Sequence, residues 1–231
     1  LWVDTRDRHR FAPSNRRLPP LATADGNDTQ KPSVAVPTDV ITNLARGVRA
    51  FTSNVFLVDG DRTVLIDAGN EFDVVDAARD HVDDLDAVVL THTHPDHVGN
   101  LPDVTAEFGV DVWGYDTEQA GVDHAIDDEE TIQLGDHDYQ ALHTPGHKDD
   151  HLCFHSETAS VLFAGDLVFA NGGFGRTDLA EGNREVLIDS VERLLATVPD
   201  DLGEMHTGHG PSVVTNPYQD IELAGQAARM G

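Results

Sequence analysis

Thr91-His92-Thr93-His94-Pro95-Asp96-His97 follows directly on the apolar run Asp86–Leu90, and the reading of that junction decides the fold. The run has the look of a buried strand. A strand that empties into ligand-type side chains is where layered α/β proteins place their sites. In an extended segment alternate residues share a face, so His92 and His94 project together. Asp96 and His97 follow as the chain turns and set a carboxylate–imidazole pair beside the two imidazoles. Such half-sets of nitrogen and oxygen donors suit zinc or iron. Neither fills the roughly four-ligand shell that zinc requires. The remaining ligands must come from downstream.

Three downstream residues sit at strand-to-loop turns: His147 in Thr144-Pro145-Gly146-His147, Asp166 in Ala164-Gly165-Asp166, and His209 in Gly208-His209-Gly210-Pro211. Around them the pattern is mixed. Asn54–Val58 and Thr63–Asp67 read as short strands flanking the turn Asp59-Gly60-Asp61. Val110–Trp113, Thr131–Leu134, Tyr139–Leu142, His151–His155 and Ser160–Ala164 are further strand candidates. Asn70–Val82 has helical spacing with Asn70 as the cap, and Arg184–Ala196 and Tyr218–Met230 are amphipathic helices. Thr63–Gly69 and Ser160–Asp166 echo each other as apolar strands ending in an Asp/Gly turn; chance likeness and an internal duplication both account for this. Strands in two groups with helices between and after them specify an α/β layered domain.

Composition narrows the functions. The 231 residues carry 42 acidic and 15 basic side chains, a net charge of −27. Residues 1–32 hold six of the basic groups and four acidic ones, so the rest of the chain holds nine basic against 38 acidic. Such a surface repels nucleic acid and anionic membranes. It fits a cytoplasmic protein of a high-salt cytosol, where molar salt cuts the screening length to about 3 Å. No apolar run approaches the ~20 residues of a membrane span, and the arginine-rich start has no secretory h-region. One cysteine, Cys153, excludes an internal disulfide framework, and its place inside a strand marks it as core. Residues 1–33, rich in Pro and polar residues without hydrophobic period, read as a disordered segment or an extension, and 34–231 as a single domain.

Taken together, Ile66-Asp67-Ala68-Gly69, the His-x-His-x-Asp-His run, Thr-Pro-Gly-His, Gly165-Asp166, Gly175-Arg176-Thr177-Asp178 and Gly-His-Gly-Pro resemble the metallo-β-lactamase-fold hydrolases, in the branch of glyoxalase II (hydroxyacylglutathione hydrolase). The resemblance spans about residues 50–212. It implies an αββα sandwich of two packed sheets with two divalent metals at one edge, most simply zinc, with iron or manganese as alternatives. His92, His94 and His147 would hold one metal, Asp96, His97 and His209 the other, and Asp166 would bridge them. Asp96 and Asp166 are the candidate catalytic carboxylates, and a hydroxide bridging the metals would be the nucleophile. Asp67 would orient a ligand histidine and His151 would give support behind the ligands, while Arg176 is a candidate contact for a substrate carboxylate.

The same residues prune the alternatives. Position 166 is Asp where β-lactamases of this fold commonly carry Cys, and the run reads His-x-His where flavodiiron oxygen reductases resemble His-x-Glu. A nuclease or phosphodiesterase is a lesser alternative: it would be expected to bring a basic arm that the acidic domain lacks, an argument that weakens in high salt. A thioester hydrolase leads; a mononuclear-iron persulfide dioxygenase using His92, His147 and Asp166 is the alternative. Only about 20 residues follow His209, where glyoxalase II carries a helical substrate domain, so the thiol need not be glutathione. The expected partner is a small thioester, without nucleic acid or membrane; a homo-oligomer is compatible with the sequence.

Overall fold

The computed structural model describes residues 40–230, so the expectation for residues 1–33 lies outside the described residues. The first sheet runs in chain order: β1 (Val40–Asn43), β2 (Phe56–Asp59), β3 (Val64–Ile66), β4 (Ala87–Val89), β5 (Val112–Gly114) and β6 (His124–Ala125). Its first three strands pair antiparallel, β1 with β2 across a long loop and β2 with β3 across a tight turn. From β3 onward the pairing is parallel, which demands crossovers. These are supplied by α1 (Val74–Arg79) after β3 and by α2 (Pro95–Val98) and α3 (Leu101–Phe108) after β4.

The second sheet contains β7 (Thr131–Leu134), β8 (His137–His143), β9 (Leu152–Ser156) and β10 (Val161–Gly165). A small hairpin of β11 (Val168–Phe169) and β12 (Gly173–Phe174) follows, then α4 (Arg184–Thr197), β13 (Glu204–Thr207) and α5 (Pro217–Met230). The sheet order is β13-β10-β9-β8-β7, with β13 parallel to β10 and the other pairs antiparallel.

Side-chain alternation assigns the layers. Phe56, Val58, Val64 and Ile66 of the first sheet meet Tyr139, Leu152, Phe154 and Phe163 of the second in one buried cluster. The residues between them point outward. Leu57, Leu65 and Val88 pack on Val74, Leu101 and Val104 of α1 and α3. Leu142, Cys153 and Leu162 pack on Leu187, Val191, Ile221 and Ala224 of α4 and α5. Both sheets are therefore apolar on both faces, and the layers run helix, sheet, sheet, helix. This is the expected αββα sandwich. Among the described residues no helix is long and apolar enough to cross a membrane.

One expected element is displaced. The first helix starts at Val74, capped by Asp73, whose carboxylate accepts from Asp76 N at 2.9 Å. Asn70 is not its cap. The Asn70 main-chain N–H donates to Thr52 Oγ1 and its side-chain amide to the Phe51 carbonyl. Its side chain thus ties the turn after β3 to the loop before β2.

Candidate metal centre

The strand ends at one edge of the sandwich bring the histidines and carboxylates together. Asp67 leaves β3 with φ +58°, in the left-handed region that short polar side chains tolerate best. There its carboxylate is buried and fully used. Oδ1 accepts from Thr91 N at 2.8 Å, and Oδ2 accepts from Thr91 Oγ1 and lies 2.8 Å from His97 Nδ1. The chain past β4 therefore leaves its strand clamped to Asp67, and His97 holds its Nδ1 proton on that carboxylate. Its Nε2 faces the centre, where it offers a lone pair once a metal takes the place of the second proton.

His92 Nε2, His94 Nδ1 and His147 Nε2 converge, with His94 Nδ1 3.1 Å from the first and 2.9 Å from the last. His147 is fixed from behind, its Nδ1 2.9 Å from the Arg176 carbonyl. A second group, Asp96, His97 and His209, gathers beside it, with His209 Nε2 3.0 Å from Asp96 Oδ2. Asp166 lies between the two. Its Oδ2 is 3.4 Å from both His147 Nε2 and His209 Nε2, and its Oδ1 is 3.5 Å from His97 Nε2. The seven residues singled out in the sequence thus meet at one place.

The support behind them is equally specific. His151 is buried, its Nδ1 2.8 Å from Thr144 Oγ1, and its Nε2 accepts from the Asp166 main-chain N–H at 2.9 Å. Burial pushes its pKa down to about 3, so it stays a neutral acceptor. Glycine is required at two places here. A Cβ on Gly208 would collide with Asp166 Oδ1, and Gly165 combines φ +48° with close contact to His151 Nε2. Arg176 touches the centre through its main chain. Its exposed guanidinium forms a bidentate pair with Asp178 at 2.9 and 3.0 Å, and its contribution to the centre is the carbonyl.

Sequence reading overlooked a second tie between the ligand loops. Thr93 Oγ1 donates to buried Asp150 Oδ2 at 2.6 Å, and buried Lys148 Nζ lies 3.4 Å from Asp150 Oδ1 and 3.0 Å from Glu181 Oε2. The only signal for it was the position of Lys148 and Asp150 between His147 and His151.

The electrostatics ask for cations. Burial opposes charge on His97, yet Asp67 and Asp166 hold its pKa well above the imidazole range. Burial also opposes His209, but Asp166 and Asp96 push it up to about 9. Burial would raise Asp166; His97 and His209 overcome it and hold the carboxyl well below its usual range. His92 goes the other way, its pKa lowered well below normal by burial and by His97. His97 Nε2 and Asp166 Oδ1 are buried without a hydrogen-bond partner, a costly state unless a cation satisfies both. The donor set, imidazole nitrogens and carboxylate oxygens in two groups, fits two divalent ions.

Comparison with known proteins shows the family and the fold. The family model described as the metallo-beta-lactamase superfamily matches residues 48–121 and 119–213. The chain is 32% identical over 188 residues to hydroxyacylglutathione hydrolase GloC of Haemophilus influenzae, covering 71% of this chain and 88% of that protein. A hydroxyacylglutathione hydrolase of Enterobacter is 34% identical over 154 residues, and the match spans 59% of its length and 64% of this chain. Among solved structures, TTHA1623 in a di-iron-bound form superposes with a TM-score of 0.63 at 25% identity, over 81% of this chain and 96% of that one. ETHE1 from Myxococcus xanthus shares the fold, with a TM-score of 0.61 at 24% identity over 78% of this chain and 88% of its own.

Proposed function

Because the chain belongs to the metallo-beta-lactamase superfamily and is a metal-dependent hydrolase of the glyoxalase II-like kind, we propose that it hydrolyses a thioester at a centre of two divalent metals. The carrying observation is Asp166, whose two oxygens face His97 on one side and His147 and His209 on the other. A carboxylate so placed lies against ligands of both groups and would help to hold both ions. His92, His94 and His147 would hold one metal, and Asp96, His97 and His209 the other. Bound there, paired divalent ions supply a water of lowered pKa and Lewis-acid polarisation of the acyl carbonyl.

The chain's own residues do the positioning. Asp67 keeps the His97 proton on Nδ1 and the Arg176 carbonyl does the same for His147, so each presents its Nε2 lone pair to the centre. His151, kept neutral by burial, holds the Asp166 main chain and so sets the carboxylate between the two groups. In the overall reaction water adds to the acyl carbon, the C–S bond breaks, and a carboxylic acid and a thiol leave. The named relatives act, by name, on hydroxyacylglutathione; the thioester reading extends that substrate class to this chain.

The test is metal analysis of protein purified in molar KCl, together with a panel of thioester, persulfide, phosphodiester and β-lactam substrates. Two metals per chain and thioester turnover are expected. One tightly held iron, unaffected by His209→Ala, with oxidation of a persulfide, would assign the dioxygenase reaction instead.

A further inference from the structure

Beside His209 lies a groove of about 990 Å3, walled by the loop that joins β1 to β2 and by the segment after β13. In a chain of net charge −27, these two walls are unusual. Residues 41–58 and 205–219 contain no Asp or Glu. The first also carries two arginines, Arg46 and Arg49, and Arg46 lines the groove.

Those two arginines differ from every other cation in residues 40–230. Arg79, Lys148, Arg176, Arg193 and Arg229 each pair with a carboxylate, and Arg62 and Arg184 donate to main-chain oxygens. Arg46 and Arg49 are exposed and have no such partner among the described residues. A surface with this excess of acid would readily supply one, so two guanidinium groups on one loop with no carboxylate partner among the described residues stand out. The groove also holds the Ser53 hydroxyl, buried to 1% exposure and without a hydrogen-bond partner.

The arginine-bearing wall is fixed to the metal centre. Ser53 N donates to the Asp96 carbonyl at 3.0 Å and Asn54 N to the Gly208 carbonyl at 2.7 Å. The Asn54 amide further donates to the carbonyls of Thr207 and Gly210, on either side of His209. A ligand reaching from the centre into this groove meets an anchored wall, and guanidinium groups there match carboxylates in bidentate geometry.

We propose that this groove binds a carboxylate carried by the substrate, with Arg46 as its contact and Arg49 adding to the local positive potential. The inference rests on the thioester reading for the identity of the substrate and assigns that substrate an anionic group. It makes Arg46 a specificity-determining residue. The carboxylate sits on either the thiol or the acyl half, and the experiment separates the two.

Three thioesters are compared at one ionic strength on metal-loaded protein: S-acetyl-mercaptosuccinate, the hemisuccinyl thioester of 2-mercaptoethanol, and neutral S-acetyl-2-mercaptoethanol. One anionic ester is expected to have the lower KM, and which one names the half that occupies the groove. Arg46→Gln should raise that KM by about tenfold or more, the loss of one charge-assisted contact, with kcat and the neutral ester little changed. Arg49→Gln should have a smaller effect. In parallel, calorimetry follows binding of methylthiosuccinate and succinate, which cannot be hydrolysed, and Arg46→Gln should weaken whichever binds. Equal affinity of wild type and Arg46→Gln for both dianions, or no binding of either, overturns the proposal. Failure to cleave any of the three esters would overturn the thioester reading alone, because calorimetry still reports on the groove.

Discussion

Asp67 Oδ2 lies 2.8 Å from His97 Nδ1 while the other oxygen of the same carboxylate accepts the Thr91 N–H. One buried side chain thus sets both the tautomer of a candidate ligand and the exit of the chain from β4. Asp67→Asn keeps a residue suited to positive φ, but its amide turns two donors toward Thr91 and His97. Metal affinity should fall by about 10–100-fold, read by competition with a chromophoric chelator. Unchanged affinity would reduce Asp67 to a residue that shapes the turn.

Asp166 is the residue on which a two-metal centre depends. Asp166→Asn should keep the fold, since the main-chain bond to His151 survives, yet lose most activity, because a neutral amide bridges cations poorly. Near-native turnover in this variant would end the dinuclear reading. His81 is exposed and lies outside the ligand groups, so His81→Ala should turn over as wild type does.

Gly208 separates the metal site from stability. Its added methyl would meet Asp166 Oδ1 and the His97 ring, so Gly208→Ala should push both from their places. Metal content should drop well below that of wild type while circular dichroism stays close to native. Full metal occupancy in Gly208→Ala would show that the strand end yields without cost.

The histidine run, the Gly-His and Gly-Asp turns and the short apolar strands were legible because each is local. Phe56-Leu57-Val58 is apolar at every position, so the sequence marks a strand but not its two faces; in the structure Phe56 and Val58 join one cluster and Leu57 the other. Less visible were contacts made across long stretches of chain. Thr93 meets Asp150 only once the two ligand loops lie side by side. Arg176 contributes a carbonyl, which no side-chain pattern announces. The start of α1 moved to Val74 because Asn70 is engaged by Thr52 and Phe51, a tertiary demand that local capping rules do not contain. β13, with a single apolar residue in Glu204–Thr207, becomes a strand because β10 offers it a parallel edge.

His206 gives a pH dependence that does not require metal. It packs against the Phe56 and Phe163 rings, with Ser212 Oγ 2.9 Å from Nδ1, and burial lowers its pKa to about 4. The folded protein therefore binds this proton less readily than the unfolded chain, whose histidine titrates near 6.5. The contribution to stability is complete above the unfolded value and is lost as pH falls from about 6.5 to about 4, on the order of 3 kcal/mol in all. Urea unfolding of chelated protein at several pH values should show this loss. His206→Phe should flatten the dependence in that window, and an equal slope in the variant would assign it to other groups.

The acidic surface makes the last prediction, one of salt dependence. From residue 34 onward the chain holds 38 acidic and nine basic side chains. The exposed pairs Arg79–Glu107 and Arg229–Glu192 occupy two of the nine cations, and nine cations are too few to neutralise 38 carboxylates. Folding brings these like charges closer than they are in the unfolded chain. At 0.1 M salt their repulsion is screened only beyond ~10 Å, whereas molar salt cuts that range to ~3 Å. The melting midpoint should therefore rise steeply between 0.1 M and 3 M KCl with zinc held constant, and desalting should unfold the protein or release its metals. Acidification to about pH 5 would not replace salt, because most carboxylates stay ionised above ~4 while ligand histidines begin to protonate. Equal midpoints at the two salt concentrations would show that the acidic surface is not an adaptation to salt.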